Sequence, residues 1–488
     1  MTLVVVGGIL CLVKKCPELR TINVAARHIP LRFSWLVLHC VSVAVLALLA
    51  HSLFSAGDTT VGLALKVGAT LIVALTSGLA LLAATAPLTV WRAAAVALGR
   101  IWIYAILAAS AATLAIAGSQ SGWAQTAHLT FLLVQWLLSP WMTSLHGDPV
   151  ANIVYTGRFA VQINEACSGL EGLGLMGAFC VAWLLFLRRE LEFPRAFVLI
   201  PLGLVLIFGL NVLRIAALVA IGHLGYPGVA LAGFHSQAGW IAFNGAACAI
   251  AFATHRTRWL ARVEECPPTV IATDLDTSNT ENRTARYLLP LLAILGAGML
   301  SRAASDGFEP LQGIRLLAGA ATLAVCWRCV STLDWRWSQR GVLTGILVFA
   351  VWIVACAFLM SPASEPASLL ALSPWARVLW ILGRMATAVL VVPVAEELAY
   401  RGYLMRRLLS KDFEAIEFRD VKPWALAVSS VAFGLAHGAL WMPGIVAGVV
   451  YGLLTVRTNS FSEGIVAHVT TNGLLAVGVL CFNHWEYW

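Results

Sequence analysis

The chain has 488 residues, of which 60% are hydrophobic and only 11% are charged; a soluble domain carries roughly 25% charge. No water-facing shell covers that much apolar surface. Soluble, disordered and collagen-like classes are therefore excluded, and the solvent is largely a bilayer. The net charge of +8 marks cytoplasmic loops. No Lys/Arg block tracks phosphates and no Gly-rich loop has phosphate-cradling spacing, so no nucleic-acid partner is expected.

In chain order, residues 1–13 are apolar and precede Lys14 and Lys15, the reverse of the charge-first order of a cleaved signal peptide. Apolar runs long enough to span follow at 33–53, 61–83, 93–118, 169–187, 196–221 and 237–254. A second series lies at 287–301, 316–330, 341–360, 375–395, 424–440, 443–457 and 464–482. Backbone polar groups must be paired in lipid, so these are helices. The fold class is an all-α polytopic integral membrane protein of roughly 13–15 spans, with two helical membrane domains. The polar stretch 255–286, with Pro267-Pro268, reads as a cytoplasmic linker between domains at 1–254 and 287–488. The 11 cysteines lie mostly inside apolar runs, where they act as small hydrophobes.

Positive charge orients the first half. Arg188, Arg189 and Arg195 share a cytoplasmic loop, and Arg256, Arg258 and Arg262 form a second one. The segments around 148–168 and 222–236 then face outward. Segment 127–145, with Pro140, breaks the parity of crossings and reads as interfacial or re-entrant.

Cys167 stands in Asn164-Glu165-Ala166-Cys167-Ser168-Gly169, at the mouth of a helix, where a thiolate is favoured. Arg214, in Asn211-Val212-Leu213-Arg214, is alone among Asp, Glu, Lys and Arg between Ala196 and His255. An Arg within a span costs about 2.5–3.5 kcal/mol on insertion scales and is a functional candidate by default. His235 opens the next descending helix. Topology alone sets these side chains near one membrane face, and together they suit acyl transfer. The thiolate attacks a carbonyl, Arg214 stabilises the oxyanion and His235 shuttles the proton. Singly, each has a plain structural alternative: an inert thiol, a snorkelling Arg, a helix-capping His.

These residues resemble the exosortase family, polytopic bacterial transpeptidases acting at the outer face of the inner membrane. The resemblance covers roughly 30–255 and implies that Cys167, Arg214 and His235 are catalytic. It implies as partners the C-terminal sorting tails of exported proteins: a short motif, one transmembrane helix and a basic end.

The second half carries Glu396-Glu397-Leu398-Ala399-Tyr400-Arg401, then Phe433-Gly434-Leu435-Ala436-His437, then His468-Val469-Thr470-Thr471-Asn472. Glu397 and Arg401 are i, i+4 and pair on one helix face, which leaves Glu396 as a base. No cofactor is expected, although two histidines and a carboxylate leave zinc open at Glu396, His437 and His468. In the metal-free reading, Glu396 and His437 activate a water while His468 and Asn472 hold the oxyanion. The three motifs in order resemble the CPBP (CAAX protease-like) intramembrane proteases over about 290–482. That resemblance implies a site of Glu396, Glu397, Arg401, His437, His468 and Asn472.

The order of the parts resembles exosortase E/protease fusions, associated with Val-Pro-Glu-Ile-Asp sorting tails. The expected function is tail cleavage with transfer to an acceptor, in a bacterial inner membrane, with a second, glutamate-dependent intramembrane peptidase. The alternatives are a transporter or a tail-binding scaffold. Cys326-Trp327-Arg328-Cys329 reads as incidental. By counting, Glu396 falls near the cytoplasmic end of its helix and His437 near the opposite end of its own, so the two meet only if a helix bends.

Overall fold

The computed structural model describes residues 32–53, 60–98, 101–164, 167–262, 283–327, 331 and 338–488. The apolar N-terminal run, most of the polar stretch 255–286 and part of the Cys-x-x-Cys lie outside the described residues. Packing divides the chain into two compact units, Met1–Gly122 and Trp123–Trp488. In the first unit, α1 (Phe33–Leu53) pairs with α2 (Thr60–Thr85), followed by α3 (Leu88–Leu98). Helix α4 (Ile101–Leu138) is a single helix of 38 residues. Residues 127–138 are thus its last turns rather than a separate segment.

The second unit begins within α4. A three-stranded antiparallel sheet follows, β1 (His146–Asp148), β2 (Ile153–Tyr155) and β3 (Ala160–Gln162), in that order. Then come α5 (Leu170–Phe186), α6 (Leu199–His223) and α7 (His235–Arg256), the last preceded by a π-helical turn at Val229–Phe234. After α8 (Arg283–Ala303), α9 (Gly313–Val325) and α10 (Gln339–Leu359) stands α11 (Pro374–Arg407), a composite of 34 residues. Helices α12 (Pro423–Leu435), α13 (Trp441–Thr458) and α14 (Phe461–Phe482) complete the chain, with a short aromatic C-terminal turn at Trp485–Tyr487. Helix α8 joins the halves of this unit, packing against α7 and its π-turn on one side and α9 and α11 on the other.

Among the described residues, 8 helices are long and apolar enough to cross a membrane, and α5, α9 and α12 are shorter apolar helices. The apolar runs at 169–187, 316–330 and 424–440 form these three shorter helices, which lowers the number. Large apolar side chains face outward, as at Val205 (72% exposed) and Phe358 (85% exposed). That is the pattern of a protein whose outer surface meets lipid, with small and polar residues kept for helix contacts.

Candidate functional sites

The sheet and α4 build the platform for Cys167. Phe131 and Val134 of α4, Val154 and Val161 of the sheet, and Ile215 and Val219 of α6 form one buried core with Cys167. Two side chains clamp the backbone around the thiol. Asn211 Nδ2 on α6 donates to the Cys167 carbonyl at 3.1 Å, and Thr130 Oγ1 on α4 donates to the Ser168 carbonyl at 3.2 Å. Gly169 then turns into α5 with φ 88°, and a Cβ there would meet Asn211 Nδ2 at 2.8 Å. Glycine is required on both counts. The Arg214 guanidinium is near enough to act on the thiol as a charge. Burial pushes the Cys167 thiol, in the loop before α5, above its ordinary value, and the Arg214 guanidinium pulls it partly back.

Arg214 and His235 line one cavity of about 460 Å³, together with Asn211, Glu171 and Trp240. The guanidinium lies across α7 at Gly239, where a Cβ would sit 3.0 Å from Nη1. The Arg214 Nε is buried without a hydrogen-bond partner, a donor left over for a developing oxyanion. The Cys167 side chain is buried (5% exposed) and does not itself line the cavity. Arg214, its neighbour, does.

The second constellation converges within α11–α14. In α11, Ala386–Val391 and Leu398–Leu404 are π-helical, with α-helix Val392–Glu397 between them. Pro393 offers no N–H to the carbonyl of Val389 and crowds it, which suits a widened winding just before it. Because α11 runs on to Arg407, Glu396 lies in the body of the helix, not at its end. Helix α12 ends early, at Leu435, and His437 occupies the turn that follows. That removes the mismatch in depth expected from counting. Glu396, His437, His468 and Asn472 line one cavity of about 190 Å³.

His468 sits between the two carboxylates: its Nδ1 is 3.1 Å from Glu397 Oε1 and its Nε2 is 3.7 Å from Glu396 Oε2. Behind it, Arg401 Nη1 donates to Glu397 Oε1 at 3.0 Å and Nη2 to the Gly448 carbonyl at 2.9 Å. Arg401 also stacks over the Phe433 ring at 4.4 Å. Tyr451 stacks on the His468 ring at 5.0 Å. His437 Nδ1 donates to the Phe433 carbonyl at 2.8 Å, which leaves Nε2 as the basic nitrogen. Asn472 Nδ2 donates to the Ala388 carbonyl at 2.8 Å. Glu396 Oε2 is buried with no hydrogen-bond partner. Among the described residues, no three His, Cys, Asp or Glu side chains are arranged to hold a metal ion.

A family model described as Transmembrane exosortase (Exosortase_EpsH) matches residues 2–253, just over half of the chain. The chain belongs to the transmembrane exosortase family. A second model, described as Type II CAAX prenyl endopeptidase Rce1-like, matches residues 375–474 of this exosortase, the stretch from α11 into α14. The protein is thus an exosortase followed by a CAAX-protease-like segment, a multi-pass membrane peptidase with a role in protein processing. No curated protein and no solved structure matches the chain.

The structure brings Cys167, Arg214 and His235 of the exosortase part to one locus, and the six residues of the second constellation to another. Of those six, Glu397 and Arg401 stand behind the cavity wall rather than in it. The roles of Thr130, Gly169 and Gly239 were not anticipated. Of these, only Gly169, next to the Cys-Ser pair, carried a local signal.

Proposed function

We propose that the exosortase cleaves C-terminal sorting tails from exported proteins at the outer face of a bacterial inner membrane, and transfers the shortened proteins to an acceptor. The domains responsible are 1–254 for the thiol chemistry and 287–488 for the second peptidase. The observation that carries the reading is the Arg214–His235 cavity, with Arg214 also acting on the Cys167 thiol. In the reaction, the Cys167 thiolate attacks the scissile carbonyl carbon and a C–S bond forms. Arg214 stabilises the oxyanion. His235 takes the proton that the Cys167 thiol loses and delivers it to the leaving amine as the C–N bond breaks, and the acyl-enzyme thioester is resolved by an acceptor nucleophile or by water, whose proton returns through His235 to the Cys167 sulfur as the C–S bond breaks. The thiol lies behind the cavity wall, so attack requires that wall to open around Arg214.

The second site activates a water. Glu396 takes its proton as the hydroxyl adds to a peptide carbonyl, and that proton passes to the leaving amine. His437 assists through Nε2. Asn472, oriented by Ala388, offers its remaining N–H to the oxyanion together with the His468 edge. Glu397 and Arg401 are positioning residues that hold His468. Mass spectrometry of a tailed substrate's new C-terminus tests both halves. Cys167→Ala is expected to abolish tail removal while the protein remains inserted, and Glu396→Ala to remove only a second processing event. Unchanged tail removal in Cys167→Ala refutes the thiol assignment.

A further inference from the structure

The side of the membrane served by the second site follows from charge and from the cavity's lining. From α7 onward, cations gather at one set of helix ends: Arg256, Arg258 and Arg262 after α7, Arg340 at the start of α10, Arg406, Arg407 and Lys411 at the end of α11, and Arg457 at the end of α13. The opposite set of connections, 304–312, 360–373, 436–440 and 483–488, contains no Lys or Arg, but does contain Asp306, Glu309, Glu365 and Glu486. Three arginines stand in the helix turns beside these connections, Arg302, Arg315 and Arg377; Arg315 and Arg377 are paired with Glu309 and Glu365. The first set is therefore cytoplasmic and the second is outer, in the same sense as the loops around Arg188 and Cys167.

The cavity runs outward from Glu396. On α11 it is lined by Val392, Ala388 and Arg384, and on α14 by Asn472 and Leu475, with Trp488 beyond. No lining residue comes from α11 past Glu396 or from α14 before His468. Toward the cytoplasmic ends of α11 and α14 lie the buried Glu397–Arg401 pair and a buried cluster that includes Leu398, Phe461 and Ile465. A second cavity, of about 350 Å³, shares Arg384 and Trp488 with the first and is otherwise lined by Trp380 of α11 and by residues of outer connections such as Glu309, Ser364 and Trp485. The two cavities meet at Arg384, whose Nη2 donates to the Trp488 carbonyl at 2.9 Å.

We propose that the Glu396 site opens to the outer face of the membrane, past Arg384 and Trp488, and that its substrate class is an exported polypeptide, not a cytoplasmic one. This rests on the reading of Glu396 as a peptidase base and adds the side from which substrate arrives. The element that leads into His235 also meets the second half of the chain at that face. The π-turn before His235 packs on the end of α8 so closely that a Cβ on Gly233 would fall 2.1 Å from the Ser305 carbonyl oxygen and 2.2 Å from that of Arg302. A polypeptide handled at Cys167 reaches Glu396 without crossing the bilayer.

Two readouts test this in the full chain. In a background with Cys40, Cys248 and Cys481, the exposed cysteines among the described residues, and Cys11, Cys16, Cys266 and Cys329 all changed to Ser, the variants Ser364→Cys, Leu440→Cys and Lys411→Cys are treated with a membrane-impermeant maleimide. Spheroplasts and inverted vesicles are compared. Ser364→Cys and Leu440→Cys are expected to label in spheroplasts and to lose that labelling in inverted vesicles, with Lys411→Cys behaving oppositely. The reverse pattern overturns the proposal. The second readout compares a tailed reporter with and without its export signal. Cleavage that is lost in Glu396→Gln is expected for the exported reporter alone, and such cleavage of the retained one overturns the proposal. If Glu396→Gln changes neither reporter, the peptidase reading of the site fails, and the labelling pattern still decides its orientation.

Discussion

The buried Glu397–Arg401 pair makes the sharpest energetic prediction. Glu397 is 0% exposed and Arg401 1% exposed, with 3.0 Å between Oε1 and Nη1. Glu397 Oε2 already lacks a partner. Arg401→Met leaves the carboxylate buried opposite a neutral side chain and strips the Gly448 carbonyl of its donor. Removing one member of such a pair costs about 3–5 kcal/mol, chiefly because the survivor keeps its desolvation cost. Changing both, as Glu397→Gln with Arg401→Met, removes the orphaned charge and leaves mainly the unmet Gly448 carbonyl, worth about 1–3 kcal/mol. The double variant is thus more stable than Arg401→Met alone. Thermal denaturation in detergent, followed by size-exclusion chromatography, measures the whole cycle. An Arg401→Met variant within about 0.5 kcal/mol of wild type, the range of ordinary surface changes, refutes the argument; so does a double variant whose loss is the sum of the singles.

Three further outcomes follow from the exosortase site. Because the thiolate is the reactive form and burial holds the Cys167 thiol above its ordinary value, its alkylation rate is expected to keep rising with pH beyond the range of a free thiol. Arg214→Gln removes the cation that favours the anion, so that limb moves to still higher pH; a shift downward contradicts the pairing. Asn211→Leu leaves the Cys167 carbonyl without its donor, at a cost of about 1–3 kcal/mol; it is expected to speed maleimide labelling of Cys167 by loosening the loop, and unaltered labelling argues against the clamp. Gly233→Leu forces a side chain against two backbone carbonyls, so α8 separates from the π-turn before His235. Limited proteolysis between α7 and α8 should then accelerate, and an unchanged digestion pattern removes that contact from the account.

Much of this protein was legible in one dimension because lipid imposes a simple rule. Helices must carry apolar runs, and charges retained inside them need a reason. Hence Arg214, alone in its stretch, and Glu396, beside a charge already paired, stood out before any coordinates. Arginine clusters assigned sides, and sides brought Cys167, Arg214 and His235 to one face. The i, i+4 spacing of Glu397 and Arg401 announced their pairing, now seen at 3.0 Å. Such inferences need only periodicity and hydropathy, which are properties of short segments.

Tertiary structure decided what segments cannot. Each strand of the sheet under Cys167 is 3 residues long, too short to announce itself by alternation, and it exists because α4 and α6 cover it. The depth of Glu396 depended on α11 continuing through two π-helical stretches, where the apolar run alone seemed to stop at Ala395. Whether Cys167 meets open space, which residues clamp its carbonyl, and which way the Glu396 cavity opens are all set by contacts between helices distant in sequence. Hydropathy settles how each helix partitions between water and lipid; only packing between helices settles which atoms meet.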